Sequence, residues 1–139
     1  MNDFEVIWLA KQMSTAFDRA EIPVLQELDL SPSEALLLIS IDDLGRQYCY
    51  ATELHMALGL SRPAVSSTLK RLREKEYIYY QEDDLDDRKK RILLCSKSLE
   101  VIPTLCQELS LWLSALTDGV SHADLDAARR VLKVLRSRL

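Results

Sequence analysis

Hydroxyl and cationic side chains recur along one short stretch of the sequence, residues 61–71. With one small apolar member, the set is Arg62, Ala64, Ser66, Ser67, Lys70 and Arg71. Guanidinium and ammonium groups neutralise phosphate oxygens, while hydroxyl groups hydrogen bond to phosphates or to base edges. These residue types predict a surface that binds nucleic acid. The alternative interpretation is a helix face that is simply solvated.

A second charged stretch follows, in which acids come before cations. Residues 82–87 hold five acids, and residues 88–91 are Arg88, Lys89, Lys90 and Arg91. The cations predict a further contact with a DNA groove. In the alternative, the neighbouring acids pair with the cations and the run keeps a hairpin tip soluble. The net charge of −4 argues against nucleic acid, but the distribution of charge matters more than its sum.

The hydroxyl and cationic residues of 61–71 are predicted to lie on the second of two helices joined by a tight turn. Thr52 is placed to cap the first helix, with Leu54 and Leu58 facing inward. Gly59 supplies the left-handed residue that the turn needs, and Ser61 caps the second helix. The inner stripe of the second helix is Val65, Leu69 and Leu72. The first set therefore lies off the buried stripe, as in a helix-turn-helix that enters a DNA groove.

Strand-forming residues on either side of the charged run predict a β-hairpin. Tyr77–Gln81 and Arg91–Cys95 are rich in Tyr, Ile and Leu, and about eight residues between them form a wing. Residues 48–50 are predicted to be a further short strand. A helix-turn-helix followed by such a hairpin predicts a winged helix-turn-helix.

Helical patterns also precede this segment. Apolar residues from Ile7 to Ala20 recur at spacings of three and four, and Pro23 is predicted to end that helix. Ser31 and Glu34 form a predicted capping box at the start of an almost wholly apolar helix, which Gly45 closes.

Two further helical patterns follow the segment. A long stripe from Val101 to Leu116 contains Pro103, which is predicted to bend the helix or mark its start. Ser121 caps a final helix. One small core cannot bury all the terminal stripes, so they predict a partner surface, most simply a two-fold homodimer.

The predicted fold class is mainly α (α+β), a winged helix-turn-helix with a small hairpin wing and terminal dimerisation helices. At 139 residues the chain fits a single domain over 1–139. Within it, 31–95 is the predicted DNA-binding lobe, and 1–22 and 97–139 are the predicted dimerisation helices.

Several other classes of protein are not indicated. The sequence has neither a signal-peptide pattern nor a membrane-spanning apolar run, which predicts a cytoplasmic protein without a membrane partner. Three widely spaced cysteines suggest neither a disulfide framework nor a zinc site, and His55 and His122 lie far apart. No phosphate-binding glycine loop or nucleophile–base pair appears. We expect no enzymatic activity, no metal and no cofactor.

With these elements in place, nearly the whole chain resembles the MarR family (multiple antibiotic resistance regulators). The family's wing pattern is D-x-R, five residues, then L-T-x-x-G; here Asp86-Asp87-Arg88 is followed by KKRIL and by Leu94–Ser98. Cys95 and Ser98 stand at the Thr and Gly positions, and Glu76 stands where a glycine is usual. The resemblance implies that Arg88 reaches the minor groove and that Asp86 helps to hold the wing.

The resemblance also implies a dimeric transcriptional regulator, a repressor that binds an inverted repeat in double-stranded DNA. Many members release DNA on binding a small phenolic or lipophilic molecule, and others sense oxidants through cysteine. Candidate residues for an effector pocket are Trp8, Phe17, Tyr48 and Trp112, although aromatic residues at helical spacing are also typical of a core. Two alternatives stay open: a protein-interaction module or anti-regulator that binds DNA weakly, and a redox regulator acting through Cys95.

Overall fold

The computed structural model describes residues 3–45, 49–83 and 86–139, apart from the side chains of residues 83 and 86–88. Within these residues the chain forms seven helices and a two-stranded antiparallel sheet. The elements are α1 (Glu5–Asp18), α2 (Pro23–Glu27), α3 (Pro32–Leu44), α4 (Ala51–Leu58), α5 (Arg62–Glu74), β1 (Ile78–Asp83), β2 (Asp86–Leu94), α6 (Ser96–Leu116) and α7 (His122–Ser137). They divide into two compact units, Met1–Glu108 and Leu109–Leu139.

The core of the first unit is built around α3, as its apolar sequence predicts. The capping box is confirmed: the Ser31 hydroxyl accepts from the Glu34 amide, and the Glu34 carboxylate accepts from the Ser31 amide. Inward-facing residues from α2 to α6 complete the core. The largest of the fully buried apolar side chains are Leu25, Leu38, Ile41, Leu54, Leu72, Ile78, Ile92 and Leu105. Each such side chain contributes roughly 1.5–3 kcal/mol through burial.

Two predicted helix boundaries are wrong. Pro23 begins the short helix α2 instead of ending α1, because proline suits the first helical turn, where its missing N–H is not needed. Tyr50 occupies the N-cap position of α4 without a side-chain hydrogen bond to the helix, so Thr52 lies inside the helix. Of the two alternatives predicted for Pro103, the start of a helix is excluded, because Pro103 lies within α6, which begins at Ser96.

The turn between α4 and α5 follows the sequence prediction. Gly59 adopts a left-handed conformation with φ of +67°, which glycine reaches without steric cost. The Ser61 hydroxyl accepts from the Ala64 amide at 3.2 Å and so caps α5. His55 adds a contact that the sequence did not predict, from its Nδ1 to the Leu60 carbonyl oxygen. The start of α5 is thus fixed by bonds from both sides of the turn.

The hairpin is longer than its apolar residues predict. In the strand register Ile78 lies opposite Leu94 and Glu82 lies opposite Lys90, so backbone pairing extends into the charged run. Cys49 and Tyr50 do not form the predicted strand, although the Cys49 carbonyl accepts from the Ile92 amide at 2.8 Å. Tyr48 lies outside the described residues. The predicted fold class, a mainly helical winged helix-turn-helix, is confirmed.

Large apolar side chains remain exposed on the terminal helices. Neither α1 nor α7 has a buried residue. On α1 the exposed set includes Ile7, Trp8, Leu9 and Met13, and on α7 it includes Val131, Leu132, Val134 and Leu135. Of the helices in the described part of the chain, none has the length and apolar character needed to cross a membrane.

Candidate nucleic-acid interface

The outer face of α5 brings together all the residues predicted on it. Arg62, Ala64, Ser66, Ser67, Lys70 and Arg71 are exposed. Val65, Leu69 and Leu72 are buried on the opposite side. The helix is therefore anchored by one face and presents a continuous strip of cations and hydroxyls on the other.

Arg71 is held in position by its own helix. Its guanidinium donates to the Ser67 hydroxyl at 2.8 Å and to the Thr68 hydroxyl at 3.2 Å. The Thr68 hydroxyl in turn donates to the Ala64 carbonyl at 3.0 Å. Thr68 was not among the predicted residues, although its spacing of three from Arg71 places the two side chains on one helix face. These bonds reduce the conformational freedom that Arg71 would lose on binding an anion.

Two cations near the end of α5 have partners inside the protein. Arg73 lies over the ring of Tyr80, with its guanidinium carbon 5.1 Å from the ring centre. The ammonium of Lys75 lies 3.0 Å from the Glu34 carboxylate and 2.7 Å from the Asp29 carbonyl oxygen. Of the five cations in residues 61–75, Arg73 and Lys75 are therefore less available to a partner than the other three.

Glu34 is a buried carboxylate whose charge is stabilised. Burial raises the pKa of this carboxyl group. Four effects together lower it by more: the hydrogen bond from Lys75, the two hydrogen bonds with Ser31 and the positive charge of Lys75. The net pKa therefore lies below the ordinary value of 4.5. The carboxylate is thus charged at neutral pH although only 2% of the residue is exposed.

The hairpin places two of its predicted cations beside the start of α4. Lys89 and Lys90 are exposed, and the Lys89 ammonium lies 5.6 Å from the centre of the Tyr50 ring. They line a cavity of about 390 Å³ with Tyr80 and the first residues of α4. The predictions for Arg88 and Asp86 concern side chains outside the described part of the chain.

Two of the four aromatic residues predicted to line an effector pocket, Trp8 and Phe17, line separate cavities. Phe17 lines a cavity of about 450 Å³ bounded by α1, α3, α4, α5 and the turn before α5. Trp8 lines a different and more open cavity along α1. Trp112 is half-buried on α6, and Tyr48 lies outside the described residues.

The cysteines are not paired with one another. Cys49 is buried. Burial, and to a smaller extent the negative charge of Glu53, raises the pKa of its thiol to about 11. Such a thiol is a poor nucleophile at neutral pH. Cys95 and Cys106 are half-buried. Among the residues described, His, Cys, Asp and Glu do not form a group of three or more that could hold a metal ion.

A capped helix with a polar outer face, a preceding helix across a glycine turn and an adjoining hairpin define a winged-helix protein. The MarR family model matches residues 28–89, from the end of α2 to the hairpin. Over that segment the chain is therefore similar to the MarR family, as its sequence resemblance predicts. No curated protein is similar enough in sequence to count as a match.

Solved structures share the fold over almost the whole chain. A structure of the transcriptional regulator SlyA is 21% identical with a TM-score of 0.84, covering 99% of this chain and 94% of its own. MepR from S. aureus, solved in complex with DNA, is 20% identical with a TM-score of 0.81, covering 95% and 96%. A MarR family regulator from Listeria monocytogenes, solved with a 26mer DNA, is 18% identical with a TM-score of 0.82, covering 99% and 89%.

Proposed function

We propose that this protein is a dimeric, sequence-specific DNA-binding transcriptional regulator that acts as a repressor. The observation that carries the proposal is the outer face of α5, where Arg62, Ser66, Ser67, Lys70 and Arg71 are exposed together on a helix anchored by its other face. A helix so presented fits the major groove, where side chains reach base edges. The DNA complexes of MepR and of the Listeria regulator support the same role for this chain.

Different contacts are expected from different parts of the interface. Ser66 and Ser67 can donate to phosphates or bases, while Lys70 and Arg71 hold phosphates, which position the helix without specifying a sequence. The hairpin cations Arg88, Lys89 and Lys90 would reach the flanking minor groove, with Asp86 holding the wing.

The exposed apolar faces of the terminal helices support a second copy of the chain as the partner. Trp8 on α1 is 63% exposed and Leu132 on α7 is 61% exposed, and exposed apolar patches of this kind mark protein interfaces. We therefore assign residues 1–22 and 97–139 to dimerisation. A two-fold dimer places two copies of α5 about 34–36 Å apart, on successive major grooves of an inverted repeat.

A small-molecule effector is the proposed signal that relieves repression. The cavity of about 450 Å³ lined by Phe17 falls within the roughly 300–1,000 Å³ usual for ligand sites. It is also lined by Ala64, Val65 and Thr68 of α5. A molecule bound there would contact the helix that carries the DNA-binding face, so occupancy could change the position of that face.

The test uses purified protein and fluorescence anisotropy on labelled DNA from the region upstream of its own gene. We expect Lys70→Ala to weaken binding and to reduce the salt dependence of affinity. Each lost phosphate contact makes the slope of log K against log salt shallower by about 0.9. A dimer that loses two contacts should therefore have a slope shallower by about 1.8. The matched control is Lys133→Ala, which removes the same charge from an exposed position of α7, with size-exclusion chromatography confirming that this variant has the same oligomeric state as the wild type.

Two results would contradict the proposal. Equal slopes for the wild type and Lys70→Ala would show that Lys70 does not contact phosphate, against the proposed placement of α5 on DNA. An equal loss in Lys133→Ala would show that only the overall charge of the protein matters.

A further inference from the structure

We propose that Glu34 and Lys75 are positioning residues for DNA recognition: their ion pair fixes the C-terminal end of α5 and thereby the placement of its base-reading face. This inference rests on the function proposed above. Neither residue lies on the outer face of α5, and neither was a predicted site residue.

The pair joins the end of α5 to the beginning of α3. The Lys75 ammonium lies 3.0 Å from both carboxylate oxygens of Glu34 and donates to the Asp29 carbonyl at 2.7 Å. Glu34 also accepts from the Ser31 amide at 3.0 Å. Three oxygens therefore surround the Lys75 ammonium, one from the Asp29 carbonyl and two from the Glu34 carboxylate. The capping box in turn holds that carboxylate in place.

Neighbouring contacts connect the same end of α5 to the start of α6. Lys97 donates to the Lys75 carbonyl and lies over the Tyr77 ring, with its ammonium 4.1 Å from the ring centre. The buried Ser98 hydroxyl donates to the Tyr77 carbonyl, and the Tyr77 hydroxyl donates to the Leu28 carbonyl. Through these bonds α2, α3, α6 and the end of α5 meet at one place.

Because the turn fixes the start of α5, loss of the pair would let the helix tilt about that start. At about 1.5 Å per residue, Ser67 lies roughly 8 Å and Lys70 roughly 12 Å along the helix from Arg62, so a tilt of about 10° moves them by roughly 1 Å and 2 Å. A displacement of that size breaks hydrogen bonds to base edges, whose donor–acceptor distances vary by only a few tenths of an ångström. Contacts to phosphates tolerate it better, because they depend less on direction.

A purely stabilising role would not require charges here. A buried ion pair gains little over well-packed apolar side chains, because its attraction must offset the loss of hydration. What the pair supplies is a single geometry, because the buried Glu34 carboxylate is neutralised only when the Lys75 ammonium reaches it. The sequence preference of the protein should therefore depend on the pair more strongly than its nonspecific DNA binding does.

Two variants separate the ion pair from the helix cap. Glu34→Gln removes the charge but keeps the capping box, because Gln serves at this position as Glu does. Ser31→Ala, the matched control, removes the hydroxyl cap and leaves the ion pair. The first measurement is the ratio of affinities for selected and for unrelated DNA. The second is amide hydrogen exchange at Lys75 and Tyr77, whose N–H groups bond to Arg71 and Leu72.

In Glu34→Gln the affinity ratio should fall about tenfold, the size of one lost base contact, and the two amides should exchange about tenfold faster. Lys75→Met should change the affinity ratio and the amide exchange by the same amounts as Glu34→Gln. The double variant should show no further loss, because each change removes the same interaction. Ser31→Ala should leave the ratio and these two amides unchanged and should affect only the start of α3.

The proposal is overturned if Glu34→Gln leaves both the affinity ratio and the exchange at wild-type values. It is also overturned if Ser31→Ala lowers the ratio as much, because the loss would then follow general destabilisation. A wild-type protein without any sequence preference would refute the proposed function instead. The exchange at Lys75 and Tyr77 would still decide whether the ion pair fixes the end of α5.

Discussion

Replacing Glu76 by glycine should stabilise the protein. Glu76 follows the end of α5 with φ of +63°, a left-handed conformation that glycine adopts freely. A side chain in this conformation costs about 1–2 kcal/mol, whereas glycine loses about 0.5–1 kcal/mol more conformational entropy on folding. Because Glu76 is exposed, little packing is lost. The net gain expected for Glu76→Gly is therefore about 0.5–1 kcal/mol.

Thermal unfolding followed by circular dichroism measures this gain. At about 2.1 cal/mol/K per residue, a chain of 139 residues has an unfolding entropy of roughly 0.3 kcal/mol/K, so the midpoint should rise by about 2–3 °C. The control is Glu76→Ala, which removes the same charge but keeps the Cβ atom and hence the strain. Its midpoint should stay near that of the wild type.

An equal rise in Glu76→Ala would refute this reasoning. The gain would then come from the removal of an acidic side chain and not from backbone strain. A fall in Glu76→Gly with no change in Glu76→Ala would show that the entropy of glycine exceeds the strain it relieves.

Three further predictions concern buried groups. Because the pKa of Glu34 is lowered on folding, its stabilising effect is present above pH 4.5 and is lost as pH falls through the lower folded pKa. In urea titrations at several pH values, the free energy of unfolding of Glu34→Gln should therefore fall less at acid pH than that of the wild type. Cys49, with a pKa of about 11, should resist iodoacetamide at pH 8 in the folded protein and react once urea unfolds it, as mass spectrometry of the peptide would detect. Leu54 is fully buried, so Leu54→Ala should cost about 2–5 kcal/mol in denaturant unfolding, while Met56→Ala, at an exposed position of the same helix, should cost far less.

The local features of the helix-turn-helix could be predicted because each depends on neighbouring residues alone. Ser61 caps α5 through an amide three residues away, and Gly59 adopts the left-handed conformation that its lack of a side chain allows. The inward stripe of α5 follows from helical periodicity. These three facts determine which residues lie on the outer face.

Features that depend on distant partners could not be predicted. The sequence shows that Lys75 is a cation but not that Glu34, 41 residues earlier, neutralises it. Ser98 departs from the glycine usual in the family, and only the fold reveals that its hydroxyl donates to the Tyr77 carbonyl. The hairpin extends to Glu82 and Lys90 because backbone pairing overrides the low strand preference of charged residues.

Proline and threonine were misinterpreted for a related reason. Pro23 is compatible both with the end of one helix and with the first turn of the next, and the sequence alone does not decide between them. Thr52 is a good capping residue, but α4 begins one position before it, at Ala51. The contact of Cys49 with Ile92 helps to determine where the chain enters that helix.

Sequence selection from a random pool of double-stranded DNA measures whether the protein binds a specific sequence as a dimer. We expect enrichment of an inverted repeat whose half-sites are centred about 10 base pairs apart, one helical turn, because two copies of α5 bind successive major grooves. Enrichment of a single half-site without a repeat would contradict the dimer. No enrichment over the starting pool would contradict sequence-specific DNA binding by α5.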